Sequence, residues 1–186
     1  MITSNKVKTM TIAALLCAIG ITIPMYSPFK IIIEPASFTL GSHVAIMIAM
    51  FISPEVAVSV ALVTSFGFLL GPFSIVVVLR ALSHVVFVTV GAFLLKKNQN
   101  ILLSYKTMIP FALFISIIHA VCEVIVSSIF YFTGTVTTSY LISVIGLVGA
   151  GTIIHSMFDF SVAVLVWKPL QYVISIPANA KIKTKA

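Results

Sequence analysis

Arg80 and His84, His119 and Glu123, and His155 and Asp159 form three polar pairs, each four positions apart in otherwise apolar sequence. On a helix, residues at i and i+4 project from one face, so each pair offers two functional groups to one side. These groups suit three kinds of chemistry. A guanidinium holds a carboxylate through two parallel hydrogen bonds. Imidazoles and carboxylates inside a membrane relay protons or line a transport path. Histidine and carboxylate at this spacing also ligate metals, but the sequence places no third and fourth ligand beside them, so no metal site is expected. No nucleophile motif, phosphate-binding glycine loop or Walker signature is present. The chain is not expected to be an enzyme or to hydrolyse ATP, and no cofactor is implied.

The elements that carry these pairs are set by composition. Of 186 residues 60% are hydrophobic and only 8% charged, with a mean hydropathy of +1.22. A soluble domain carries roughly 25% charged residues, so this chain has lipid as its main solvent. Continuous apolar runs exclude the alternating pattern of a β-barrel. The expected class is an all-α polytopic membrane protein, with residues 1–186 as one integral membrane domain. Cys17 and Cys122 lie in apolar runs without a C-x-x-C and read as small core residues.

Breaks in the apolar runs give six expected transmembrane helices, at about 7–26, 40–52, 54–70, 73–95, 107–132 and 140–167. Segments two and three are short or tilted for a span of about 20 residues. Residues 27–39 hold Lys30, Glu34 and prolines, and read as a loop that lies on the membrane or caps a cavity. Pro54 suits the first turn of a helix, and Gly71-Pro72 marks a turn. With the N-terminus cytoplasmic, nine lysines (Lys6, Lys8, Lys96, Lys97, Lys106, Lys168, Lys181, Lys183 and Lys185) lie inside and only Lys30 outside. The positive-inside rule therefore puts both termini in the cytoplasm. The net charge of +7 is topological and does not point to nucleic acid.

Helical rise gives depths. At about 1.5 Å per residue, Arg80 lies about 10 Å and Glu123 about 14 Å below the outer surface, with His84 and His119 near the middle. Counted from Trp167 as the inner end, Asp159 sits about 12 Å from the inner surface, too deep to meet Arg80. Arg80, His84, His119 and Glu123 are thus expected to line an outward-facing site. His155 and Asp159 are expected to belong to the inner half, with a structural or coupling role. Arg80 and Glu123 suit either a ligand contact or an ion pair that fixes helix packing. His43 and Glu55 fall near segment ends and read as facing an interface.

Three stretches carry a family resemblance. The first segment holds Ala14-x-x-x-Ala18, a small-residue spacing that lets helices approach closely. With Glu34-Pro35-Ala36-Ser37-Phe38-Thr39-Leu40 and Val78-Leu79-Arg80-Ala81-Leu82-Ser83-His84, the chain resembles the substrate-binding S components of energy-coupling factor (ECF) vitamin transporters, most like the niacin-type branch. The resemblance implies a high-affinity membrane substrate-binding subunit of an ABC-type importer in the plasma membrane of a prokaryote. It implies docking through Ala14 and Ala18 on a transmembrane coupling subunit, EcfT, which works with two ATPases, and toppling in the membrane to release cargo. It also implies a site in the outer half, between helices four to six and the outer loops. There Arg80 would hold an anionic group, with Phe38 or Phe73 stacked on a ring, which favours a carboxylate vitamin such as nicotinate. Two other readings of the polar pairs are a stand-alone proton-coupled carrier, for which an inverted repeat is expected and not seen, and a membrane scaffold in which they only join helices.

Overall fold

The computed structural model describes residues 2–173 and 177–182; the lysines at 183 and 185 that enter the charge count lie outside them. In chain order the elements are α1 (Ile2–Tyr26), β1 (Lys30–Ile33), β2 (Ala36–Thr39), α2 (Val44–Ile52), α3 (Pro54–Leu69), α4 (Ile75–Lys97), a 3-10 turn (Ile101–Leu103) and α5 (Tyr105–Tyr131). They are followed by a helical turn α6 (Thr138–Tyr140), a π-helical stretch (Leu141–Ala150) and α7 (Gly151–Val173). Among the described residues the chain is all-α apart from one hairpin. Among them four helical stretches are long and apolar enough to cross a membrane: Asn5–Tyr26, Ile75–Lys97, Tyr105–Tyr131 and Thr138–Val173.

The second segment, expected to be short or tilted, is short. Helix α2 has nine residues, all apolar and all buried, so it is about 13.5 Å long against a hydrocarbon layer of about 30 Å. A helix apolar on every face must be packed on every side, and α1, α3, α4 and α7 surround this one. Its close fit to α4 depends on Gly91, where a Cβ would fall 2.3 Å from Met50 Sδ.

A helix that stops inside a bilayer must have its end groups satisfied by protein, because no water reaches them. Both ends of α2 are. At the start, the Asp159 carboxylate accepts from the Gly41 amide (2.8 Å) and the His43 amide (2.9 Å). A carboxylate at a helix N-terminus also complements the macrodipole. At the other end, the amides of Asn179 and Ala180 donate to the carbonyls of Ile52 (3.1 Å) and Phe51 (2.9 Å). That tail segment is held in turn by the fully buried Trp167, whose Nε1 donates to the Ala180 carbonyl at 3.1 Å.

Helix α3 begins as its sequence suggests, with Pro54 in the first turn and the Ser53 hydroxyl accepting from the Val56 amide. Residues 27–39, read as a loop, form an antiparallel hairpin in which Lys30 pairs with Thr39 and Ile33 with Ala36. Glu34 and Pro35 make its turn. The hairpin is fixed to the bundle where Phe38 lies over Gly151. A Cβ at Gly151 would sit 2.7 Å from Phe38 Cζ, so a larger residue there has to displace the Phe38 ring. Gly151→Val is expected to cost about 1–3 kcal/mol and to free the hairpin. Tryptic cleavage after Lys30 should then quicken several-fold, whereas cleavage at the wild-type rate would show that Phe38 does not hold the hairpin down.

Candidate functional site

Because α2 fills less than half of the membrane depth, a space remains on its N-terminal side. This space is a cavity of about 300 Å³, roofed by the hairpin and walled by α3, α4, α5 and α7, within the range of small-ligand sites. Arg80 and His84 reach it from α4, Glu123 from α5, Thr152 and His155 from α7, and His43 from the turn before α2. The hairpin contributes Phe38, and α3 contributes Thr64. Phe73 is also in the wall, with the Lys30 ammonium 5.8 Å from its ring centre.

At the centre of the polar wall, Arg80 Nη2 donates to Glu123 Oε2, and Nη1 donates to the Pro35 carbonyl at 3.2 Å. Arg80 thus joins the hairpin to α5. Thr152 Oγ1 donates to the same Glu123 oxygen at 2.8 Å. The other oxygen, Oε1, lies 3.4 Å from His84 Nε2 and 3.3 Å from His119 Nε2. Arg80 and Glu123 are 5% and 4% exposed, so their charges are desolvated and depend on each other. Two polar atoms of cavity-lining residues are buried without a hydrogen-bond partner, Arg80 Nε and Thr64 Oγ1. Buried donors of this kind are otherwise nearly always satisfied; Thr64 Oγ1 lies against Gly20 of α1, where an added Cβ would meet it at 2.9 Å.

Arg80, His84, His119 and Glu123 therefore come together as expected, and Phe38 lines the same cavity. The separation of His155 and Asp159 from them is overturned. His155 lines the cavity with Arg80, and its ring centre is 5.4 Å from that of Phe38. Asp159 Oδ2 lies 3.1 Å from His43 Nδ1 and 3.3 Å from His155 Nε2. The depth count failed at its origin. Helix α7 does not end at Trp167 but continues to Val173, which raises Asp159 to about 21 Å from its end. Trp167 is a buried tail contact rather than a residue at the membrane surface.

His43 is the residue that the sequence reading misplaced most. Its ring centre is 4.8 Å from His84, 4.7 Å from His119 and 5.0 Å from His155, so all four histidines of the chain meet around it. The available signal was its position just before a nine-residue run with no polar member, where a buried helix has to begin. Thr64 and Thr152 were also missed; isolated threonines in apolar helices give no sequence signal. Ala14 and Ala18 do not line the cavity: α1 buries Leu16, Gly20 and Pro24 and exposes both alanines. The exposed Glu55 lies 3.9 Å from exposed Lys96, at the junction of the α3 start with the α4 end.

No family model and no solved structure matches the chain. It is 41% identical over 160 residues, 85% of its own length and 72% of the relative's, to the niacin transporter NiaX of Lactococcus lactis subsp. cremoris (strain MG1363). A bacterial transporter relative and several helices able to cross a membrane make this a multi-pass plasma-membrane protein. The chain belongs to the niacin-transporter family of NiaX, the niacin-type branch that its sequence resembles.

Proposed function

We propose that the chain is a high-affinity membrane substrate-binding subunit for a small carboxylate vitamin, with niacin the best fit, and that it is not an enzyme. The observation that carries this is Arg80, buried in the cavity wall with Nε unpartnered and with the partnerless Thr64 hydroxyl in the same wall. A carboxylate entering the cavity gains a charge-assisted hydrogen bond from Arg80. Phe38 and Phe73 supply ring faces for an aromatic substrate. His84, His119 and Glu123 complete the polar side, and Lys30 adds positive charge at the hairpin. The relative's name, niacin transporter, agrees with this choice. Mass spectrometry of the small molecule carried through purification tests it. Nicotinate should be found, and a non-carboxylate ligand would sink the reading.

The proposal extends to topology and partners. Six helical passages, α2 and α3 being the short ones, put both termini in the cytoplasm, supported by the lysine asymmetry. The hairpin then lies on the outer side as a lid. Ala14 and Ala18, exposed on α1, offer the small-residue face that a transmembrane coupling subunit, EcfT, would pack against, with two ATPases supplying energy. Ala14→Trp fills that face without approaching the cavity. It should leave vitamin binding at wild-type affinity and reduce uptake in whole cells more than tenfold. Unchanged uptake would remove the docking assignment. Uptake at full rate by the chain without ATPases would favour a stand-alone carrier instead.

A further inference from the structure

The four histidines that meet around His43, three of them lining the cavity and His119 behind them, exceed what carboxylate recognition requires. His43, His84 and His119 each place a ring nitrogen within 4.8 Å of the other two. We propose that these three imidazoles form a binding site for a divalent transition-metal cation of the zinc type. In sequence the three lie 41 and 35 positions apart, so only the fold brings them together.

Three independent observations support the site. First, His43 is already oriented as a ligand. Its Nδ1 lies 3.1 Å from Asp159 Oδ2, and an ionised carboxylate only accepts, so Nδ1 carries a proton and, in the neutral imidazole, Nε2 is the nitrogen with the lone pair. A histidine fixed by a carboxylate in this way is a recurrent outer shell of metal sites. Asp159 itself is committed, since it also accepts from the Gly41 and His43 amides. Second, His119 is fully buried, its Nδ1 lies 2.6 Å from the Ser156 hydroxyl, and its Nε2 makes no well-directed hydrogen bond although Glu123 Oε1 lies 3.3 Å away. A buried imidazole nitrogen without a well-directed hydrogen bond, beside two further imidazoles, is open to a metal ion. Third, the buried side chains here carry one guanidinium (Arg80) and two carboxylates (Glu123 and Asp159). A cation held by neutral imidazoles offsets the excess negative charge in a low-dielectric interior.

The ligand chemistry selects the metal class. Three neutral imidazoles suit zinc, copper, iron or nickel rather than magnesium or calcium. Zinc–nitrogen bonds of about 2.0–2.1 Å require the three nitrogens to close together, which ordinary side-chain adjustment supplies. The remaining coordination position would face the cavity.

The test uses the purified full-length protein in detergent, stripped with a chelator and titrated with zinc by calorimetry and with cobalt by visible absorption. One equivalent should bind, with cobalt showing the bands of a four-coordinate nitrogen site. His43→Ala and His119→Ala should abolish binding. Asp159→Asn should weaken it about 10–100-fold, and His155→Ala should retain it. A monodisperse elution profile for each variant separates loss of the site from loss of the fold. Absence of stoichiometric metal in the wild type overturns the proposal. So does binding that survives His84→Ala but fails in His155→Ala, since that would assign the metal to the other side of His43. Nicotinate affinity of the stripped protein is a separate readout, and its failure would bear on the substrate reading alone.

Discussion

Arg80→Ala is expected to weaken nicotinate binding by about 100-fold, equivalent to about 3 kcal/mol. Two effects add. The ligand carboxylate loses a charge-assisted hydrogen bond in a site closed to water, and Glu123 is left buried with a negative charge and no guanidinium. Both make the cavity hostile to an anion. Arg80→Lys should recover only part of the loss. A lysine supplies a point charge, but not a planar fork that serves Pro35, Glu123 and a ligand together. Isothermal titration of the purified variants against a panel of acidic, neutral and cationic vitamins measures this. Equal affinity of an acidic vitamin for wild type and Arg80→Ala would show that Arg80 only joins the hairpin, α4 and α5.

The second large effect is on folding. Asp159→Ala should lower stability by about 3 kcal/mol, because it takes the acceptor from the half-buried Gly41 amide and the buried His43 amide and leaves His43 Nδ1 only the Ser42 hydroxyl at 3.2 Å. Each buried unsatisfied donor costs about 1–3 kcal/mol. For a chain of this size the unfolding midpoint in detergent should fall by about 6–12 °C. Asp159→Asn, which keeps the shape and one acceptor, should fall between the two. A midpoint for Asp159→Ala within about two degrees of wild type would show that α2 does not depend on this carboxylate. The same substitution should displace His43, so ligand affinity falls with stability.

The two experiments probe different layers of one design. Arg80 and Glu123 face a ligand, while Asp159 holds the short helix on whose absence above Val44 the cavity depends. A full-length second span would fill that space with side chains.

How much of this was legible is clearest at particular residues. The i, i+4 pairs were readable because their spacing is a property of a single helix. Lipid as solvent followed from composition, the start of α3 from Ser53-Pro54, and the exposed hairpin region from its prolines and charges. The convergence of Arg80 with Glu123 was legible too, since both depths were counted from true helix ends.

Asp159 was misplaced because its helix runs on past Trp167, and only the tail that buries this tryptophan reveals it. His43 was misread because its place depends on Asp159, which is 116 positions away. The sequence by itself determined the membrane class, the helical faces and the groups available for binding, since these depend on composition and local period. The tertiary structure alone decided how the ends of α2 are capped, that a cavity opens beyond it and that four histidines meet around His43. Those outcomes rest on contacts between distant segments, and the energy of capping a buried helix end is invisible until the capping group has been brought to it.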